Sequence, residues 1–153
     1  MMTVTVAQEA VRQPAVRALL EQSWALSDAL YPAESNHHLD ESELDVPQVS
    51  FFVARRNGQA LGCGALMRVD EIYGEIKSLF VDPSARGLGL ARAVLTAIEA
   101  EALGQGLALL RLETGIRQPE AIGLYEATGF RRIPPFGSYR DDPLSVFMEK
   151  ALR

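Results

Sequence analysis

Residues 80–92 read FVDPSARGLGLAR, and the punctuation of this stretch sets the frame for the chain on either side. Apolar residues run up to Val81, Asp82-Pro83 stops the strand they imply, and Arg86, Gly87 and Gly89 come directly before a helical pattern. Ala91, Val94, Leu95, Ile98 and Ala102 share one face of that pattern, which predicts a helix over residues 89–103, with Gly104 and Gly106 as stops. The first N–H groups of such a helix have no intrahelical acceptor and carry the positive end of its dipole. Glycines there let the backbone approach an anion closely, and Arg86 and Arg92 add side-chain charge. The competing reading is a glycine turn needed only to pack helix on strand. A P-loop is excluded, because no Gly-Lys-Ser or Gly-Lys-Thr follows. A dinucleotide fingerprint fits poorly, because Arg92 holds the place of its third glycine.

Upstream, residues 75–81 read as a strand. Before it, residues 49–56 and 60–69 are rich in strand formers and are joined by Asn57-Gly58, the strongest short hairpin signal, so that pair is antiparallel. Nearer the start, residues 2–7 alternate as a strand. A helix runs from Pro14 through Val16, Leu19, Leu20, Leu26 and Leu30 and ends before Pro32. Residues 32–47 are polar and read as a loop with one short helical turn. Downstream, residues 107–113 form a buried strand, 119–128 a short helix closed by Gly129, and 144–150 a last strand after Pro134-Pro135. Strands followed by alternating helices and strands predict a mixed α/β sheet.

The whole chain fits this plan as a single domain over residues 1–153, with 48% hydrophobic and 23% charged residues. A net charge of −5 offers no long-range attraction to nucleic acid or an anionic membrane face. The longest charge-free stretch, residues 57–67, has eleven residues including three glycines, whereas spanning a bilayer takes about 20 apolar ones. The first residues lack the basic and apolar segments of a secretory signal. Cys63 has no partner for a disulfide, and with His37 and His38 it matches none of the usual zinc spacings, so no metal is expected. The expected home is the reducing cytoplasm.

Arg86-x-x-Gly89-x-Ala91 resembles the Arg/Gln-x-x-Gly-x-Gly/Ala signature of the GNAT N-acetyltransferase superfamily. The likeness continues on both sides. EIKSLFVDP, starting at Glu75, looks like the family's fourth strand, and AIGLYEATGF, residues 121–130, looks like its A-x-x-L-Y-x-x-x-G-F segment. The resemblance implies a central, mostly antiparallel mixed sheet flanked by helices and acetyl-CoA as co-substrate. It also implies that Arg86, Gly87, Leu88, Gly89, Leu90, Ala91 and Arg92 hold the pyrophosphate. Leu79, Phe80 and Val81 would line the pantetheine arm, with a backbone N–H near Leu79 meeting the oxyanion. Gln118 stands where family members often carry Asn, a cofactor hydrogen-bonding position. The early region holding Tyr31, His37 and His38 would border the acceptor pocket, and Tyr139, on a late loop, would shape acceptor choice.

The implied reaction is direct attack of a primary amine, on a small molecule or peptide, at the thioester carbonyl. An alkyl ammonium has a pKa of about 10.4, so a base must help expose its lone pair. Glu75 is the candidate: it lies six residues before Val81, hence on the same strand face by alternation, and resembles a position where several members carry a catalytic Glu. Pairing with Lys77 as a solvated strand-end carboxylate is the structural alternative. For the departing thiolate, Tyr125 is the acid, since a phenol stays protonated at neutral pH; a core anchor is its alternative. A non-catalytic acyl-CoA-binding regulatory module would need the glycine loop but neither Glu75 nor Tyr125. The oligomeric state is open between monomer and homodimer.

Overall fold

Asn57 and Gly58 both take positive φ, 51° and 82°, which closes the two-residue turn that the hairpin needs. In the computed structural model, which describes residues 3–152, this turn joins β2 (Val49–Arg56) to β3 (Gln59–Arg68). Around the hairpin, β1 (Val4–Gln8), β4 (Tyr73–Val81), β5 (Leu109–Gly115), β6 (Arg131–Ile133) and β7 (Ser145–Ala151) complete one sheet of order β1-β2-β3-β4-β5-β7-β6. Only β4 and β5 are parallel; every other neighbouring pair is antiparallel. The helices are α1 (Pro14–Leu30), α2 (Glu41–Leu44), α3 (Leu90–Gly104) and α4 (Pro119–Ala127). The order of elements is the one the sequence predicts. Met2, the expected first residue of β1, lies outside the described residues.

Two helices cover each face. Val94, Leu95 and Ile98 of α3 pack with Leu66, Leu110 and Met148 of the sheet, and Ile122 and Tyr125 of α4 join that cluster. On the other face Val16, Leu19 and Leu20 of α1 and Leu44 of α2 pack on Phe51, Val53 and Cys63. A third, aromatic cluster forms around Tyr73, Phe136 and Phe147. Among the described residues no helix is long and apolar enough to cross a membrane.

Residues 32–47 contain two short helical turns instead of one. A 3-10 turn, Ala33–Ser35, precedes α2, whose start is fixed by a capping box: Asp40 accepts the Glu43 N–H and Glu43 accepts the Asp40 N–H. Strand β6 was not predicted, because three residues of which two are Arg carry no readable period.

The third departure decides the site. Cys63 pairs with Phe80 and Ala65 with Lys77, so Gly64 is opposed by both Ser78 and Leu79, and Ser78 takes φ +56°. This β-bulge reverses the alternation of β4. Glu75 and Lys77 keep the face that α1 covers, whereas Leu79 and Val81 pack into the cluster beneath α3. Glu75 and Val81 therefore lie on opposite faces, and the expectation that they share one is corrected. The parallel register of β4 with β5 covers Tyr73, Gly74 and Glu75 only; from Ile76 onward the two strands separate.

Candidate active site

The separation of β4 and β5 leaves a cleft lined by residues 76–80 of β4, by Glu113, Thr114 and Gly115 of β5, by Gln118 just before α4 and by Tyr125 of α4. Tyr125 is 5% exposed, its ring 5.5 Å from that of Phe130, so it is anchored in the core while lining the cleft. Its hydroxyl has no protein partner among the described residues. Burial pushes the phenol pKa up, so it stays protonated. Glu113 faces the cleft too, and desolvation raises its carboxyl to about 7; the nearby charge of Lys77 opposes the rise, and those of Glu75 and Asp142 reinforce it. In the sequence Glu113 reads only as the end of the buried strand over residues 107–113. The signal was there: a carboxylate closing the apolar run LALLRLE.

Beside this cleft, on the α1 face, opens a cavity of about 730 Å³. His37, His38, Leu39 and Lys77 line both spaces. Glu75, 5% exposed, forms its floor. The Tyr139 hydroxyl donates to Glu75 Oε2 (2.5 Å), and Lys77 Nζ lies 3.3 Å from the same oxygen. Lys77 also donates to the Tyr139 hydroxyl (2.8 Å) and to the His37 carbonyl (3.2 Å). Glu75 is thus a buried, paired carboxylate and not a solvated one. Burial, with the Glu75 charge next in weight, pushes the Tyr139 phenol up. The His37 ring packs edge-on against Tyr139 at 5.1 Å, and burial followed by the Lys77 charge lowers its pKa, favouring neutral imidazole.

At the far end of β4 the chain runs into the glycine loop. Gly87 and Gly89 both adopt the left-handed region, φ 80° and 76°, and a Cβ added to either would meet nothing within 4 Å. Close packing is therefore not why these positions are glycine; conformation and an open approach to the backbone are. The first α-helical bond of α3 is Ala93 N–H to Gly89 O (3.0 Å), which leaves the N–H groups of Leu90, Ala91 and Arg92 without intrahelical acceptors. Arg86 and Arg92 make no ion pair among the described residues. Leu88 is exposed, whereas the Leu90 side chain is in the core, so only its backbone faces the loop.

The structure gathers Leu79, Phe80, Gln118 and Tyr125 around one cleft and Glu75 and Tyr139 around the adjoining cavity, with His37 and His38 between. Val81 lines neither; its side chain packs in the core. Tyr31 lines the cleft with Gln118 and lies outside the larger cavity, because α1 ends directly over β5.

A profile of the acetyltransferase (GNAT) family matches residues 14–130. The chain belongs to that family. GNAT acetyltransferases use acetyl-CoA, and this chain is an acetyl-CoA-dependent acetyltransferase. The free N–H groups, the two unpaired arginines and the open glycines suit a phosphate-bearing donor. A protein of Azospirillum brasilense named IAA acetyltransferase is 48% identical over 153 residues, covering 99% of this chain and 100% of the relative. A crystal structure from Klebsiella pneumoniae, described as an acyl-CoA N-acyltransferase, superposes with a TM-score of 0.84 at 36% identity, covering 99% of both chains. An N-acetyltransferase of Thermoplasma acidophilum solved with coenzyme A shares the GNAT fold at TM-score 0.77 and 14% identity, over 97% of this chain and 99% of that one. The reading of the glycine loop as a dinucleotide site, and of the chain as a non-catalytic binding module, both give way.

Proposed function

We propose that this enzyme moves the acetyl group of acetyl-CoA to a primary amine of a small molecule or peptide by direct attack, within the cytoplasm. The observation that carries the reading is the junction of two spaces: a cleft where a sheet comes apart beside Tyr125 and Glu113, and a wider cavity that meets it at Lys77. The donor's phosphates would rest on Arg86, Arg92 and the backbone of residues 87–92, with its arm in the cleft along Leu79 and Phe80. Acetyl-CoA supplies the activated thioester. The acceptor would enter through the cavity, whose lining holds Glu34, Glu43, Glu75, Asp141 and Asp142 against Lys77 and Arg140, an excess of negative charge that draws an ammonium.

At the junction a base takes the amine proton, the C–N bond forms as C–S breaks, and Tyr125 gives its proton to the departing sulfur. Glu75 is one base. Glu113 is favoured over it by a specific observation: Glu113 is held at about 7, whereas Glu75 Oε2 is already engaged by Lys77 and Tyr139.

The test is a library of amines, alcohols and carboxylic acids incubated with acetyl-CoA, with free thiol detected and products identified by mass. Thiol release with N-acetylated products from cationic amines is the expected result. Products acetylated only on oxygen would overturn the amine assignment. The relative named IAA acetyltransferase makes IAA the first compound to include.

A further inference from the structure

Tyr31 closes α1: its N–H bonds to the Ser27 carbonyl (3.0 Å), and its side chain, 7% exposed, crosses to the end of β5. There it lies on Gly115. A Cβ on that residue would sit 1.9 Å from the Tyr31 hydroxyl oxygen, so glycine alone admits the ring. The hydroxyl accepts the backbone N–H of Arg117 (3.1 Å) and contacts Gln118 Oε1 (3.2 Å). A phenol has one proton. The hydroxyl donates to no other acceptor among the described residues, so that proton goes to Gln118 Oε1, and the amide stands with its oxygen toward Tyr31 and its NH₂ away. Gln118 Nε2 donates to no protein group among the described residues, and Gln118 lines the cleft. The Arg117 guanidinium, which donates to the Leu30 carbonyl, ties the same loop to the end of α1 a second time.

We infer that Tyr31 is a positioning residue: it turns the Gln118 amide so that its N–H groups face a carbonyl of acetyl-CoA in the cleft, and so sets the affinity for the donor. This rests on the reading that the donor arm lies there. It also assigns α1, the helix on the opposite sheet face from α3 and α4, a part in holding the donor.

The experiment combines Tyr31→Phe, Gln118→Ala, Gln118→Glu and the double variant Tyr31→Phe/Gln118→Ala, with steady-state kinetics in both substrates. Phe keeps the ring on Gly115, and thermal melts confirm that each variant is folded. Tyr31→Phe is expected to raise KM for acetyl-CoA and Kd for CoA about five- to tenfold, the effect of one hydrogen bond. The kcat at saturating donor and the acceptor KM should not change. Gln118→Glu keeps an acceptor for the Tyr31 proton but offers no N–H, so it should lose as much as Gln118→Ala. The double variant should be no worse than Gln118→Ala alone. A Tyr31→Phe enzyme with wild-type donor affinity, or losses that multiply in the double variant, would overturn the role of Tyr31. If Gln118→Ala itself leaves donor affinity unchanged, the placement of the donor arm along Gln118 fails instead, and the positioning role falls with it.

Discussion

Glu75 and Glu113 share one face of the sheet on neighbouring strands, and their surroundings fit them for different work. Glu75 is held as an ion pair by Lys77 and bonded by Tyr139, while Glu113 is desolvated with a carboxyl near 7. If Glu113 is the base, kcat/KM rises with pH to a limb near 7. Glu113→Gln then flattens that limb and lowers the rate by about 10²–10⁴-fold, whereas Glu75→Gln leaves the limb in place. The reverse pattern returns the role to Glu75. Stability provides a second reading of the same carboxyl. Its folded pKa lies above the ordinary 4.5, so between about 4.5 and 7 the folded state binds the extra proton, and stability falls as pH rises through that window. Glu113→Gln removes the effect: its melting temperature, compared with wild type, should climb from pH 4.5 to 7 and stay level above. Tyr125→Phe keeps the buried ring and loses only a hydroxyl that no protein group uses. Its melting temperature should hold while the chemical step slows about 10²-fold, read in single-turnover experiments. A wild-type rate would make Tyr125 a core anchor.

At the scale of elements, the glycine loop is where sequence and structure agree most closely. Arg86, Gly87 and Gly89 ahead of an amphipathic pattern can be read without coordinates, because helix ends and left-handed turns have local chemical causes. Gly89→Glu tests the loop. With φ at 76° any side chain there is strained by roughly 1–2 kcal/mol, yet its Cβ meets no atom within 4 Å, so the protein should fold, melt slightly lower and lose CoA binding by calorimetry. Unchanged affinity would move the phosphates elsewhere. The bulge at Ser78 was not legible. Nothing in the run EIKSLFV marks an inserted residue, since a bulge is set by what the neighbouring strand does at Gly64. That one residue broke the alternation on which Glu75 was chosen, and the cleft and the role of Glu113 depend on where β4 leaves β5, a long-range property. Tyr31 and Gly115 illustrate the same limit, being 84 residues apart in the chain and in contact only after folding.

Taken as a whole, the molecule is proposed to do its chemistry at the place where its sheet is least continuous. Strands β1 to β4 form one antiparallel group and β5 to β7 another, and three paired positions, Tyr73 to Leu109, Gly74 to Leu110 and Glu75 to Arg111, join them across the middle. A donor that enters the cleft touches both groups. Bound at a hundred times its Kd, it should stabilise the fold by about 2.7 kcal/mol, seen as a rise of several degrees in melting temperature that grows with CoA concentration. No rise at high CoA concentration would mean that CoA does not bind the folded protein in preference to the unfolded chain. The parted strands have one more consequence. A sheet is a ladder, and here the rungs stop after Glu75, leaving the rails of residues 76–80 and 113–115 facing an opening. With the donor arm placed in the cleft as proposed, its amides would stand in for the missing rungs, and amide exchange along both rails should slow when CoA is added.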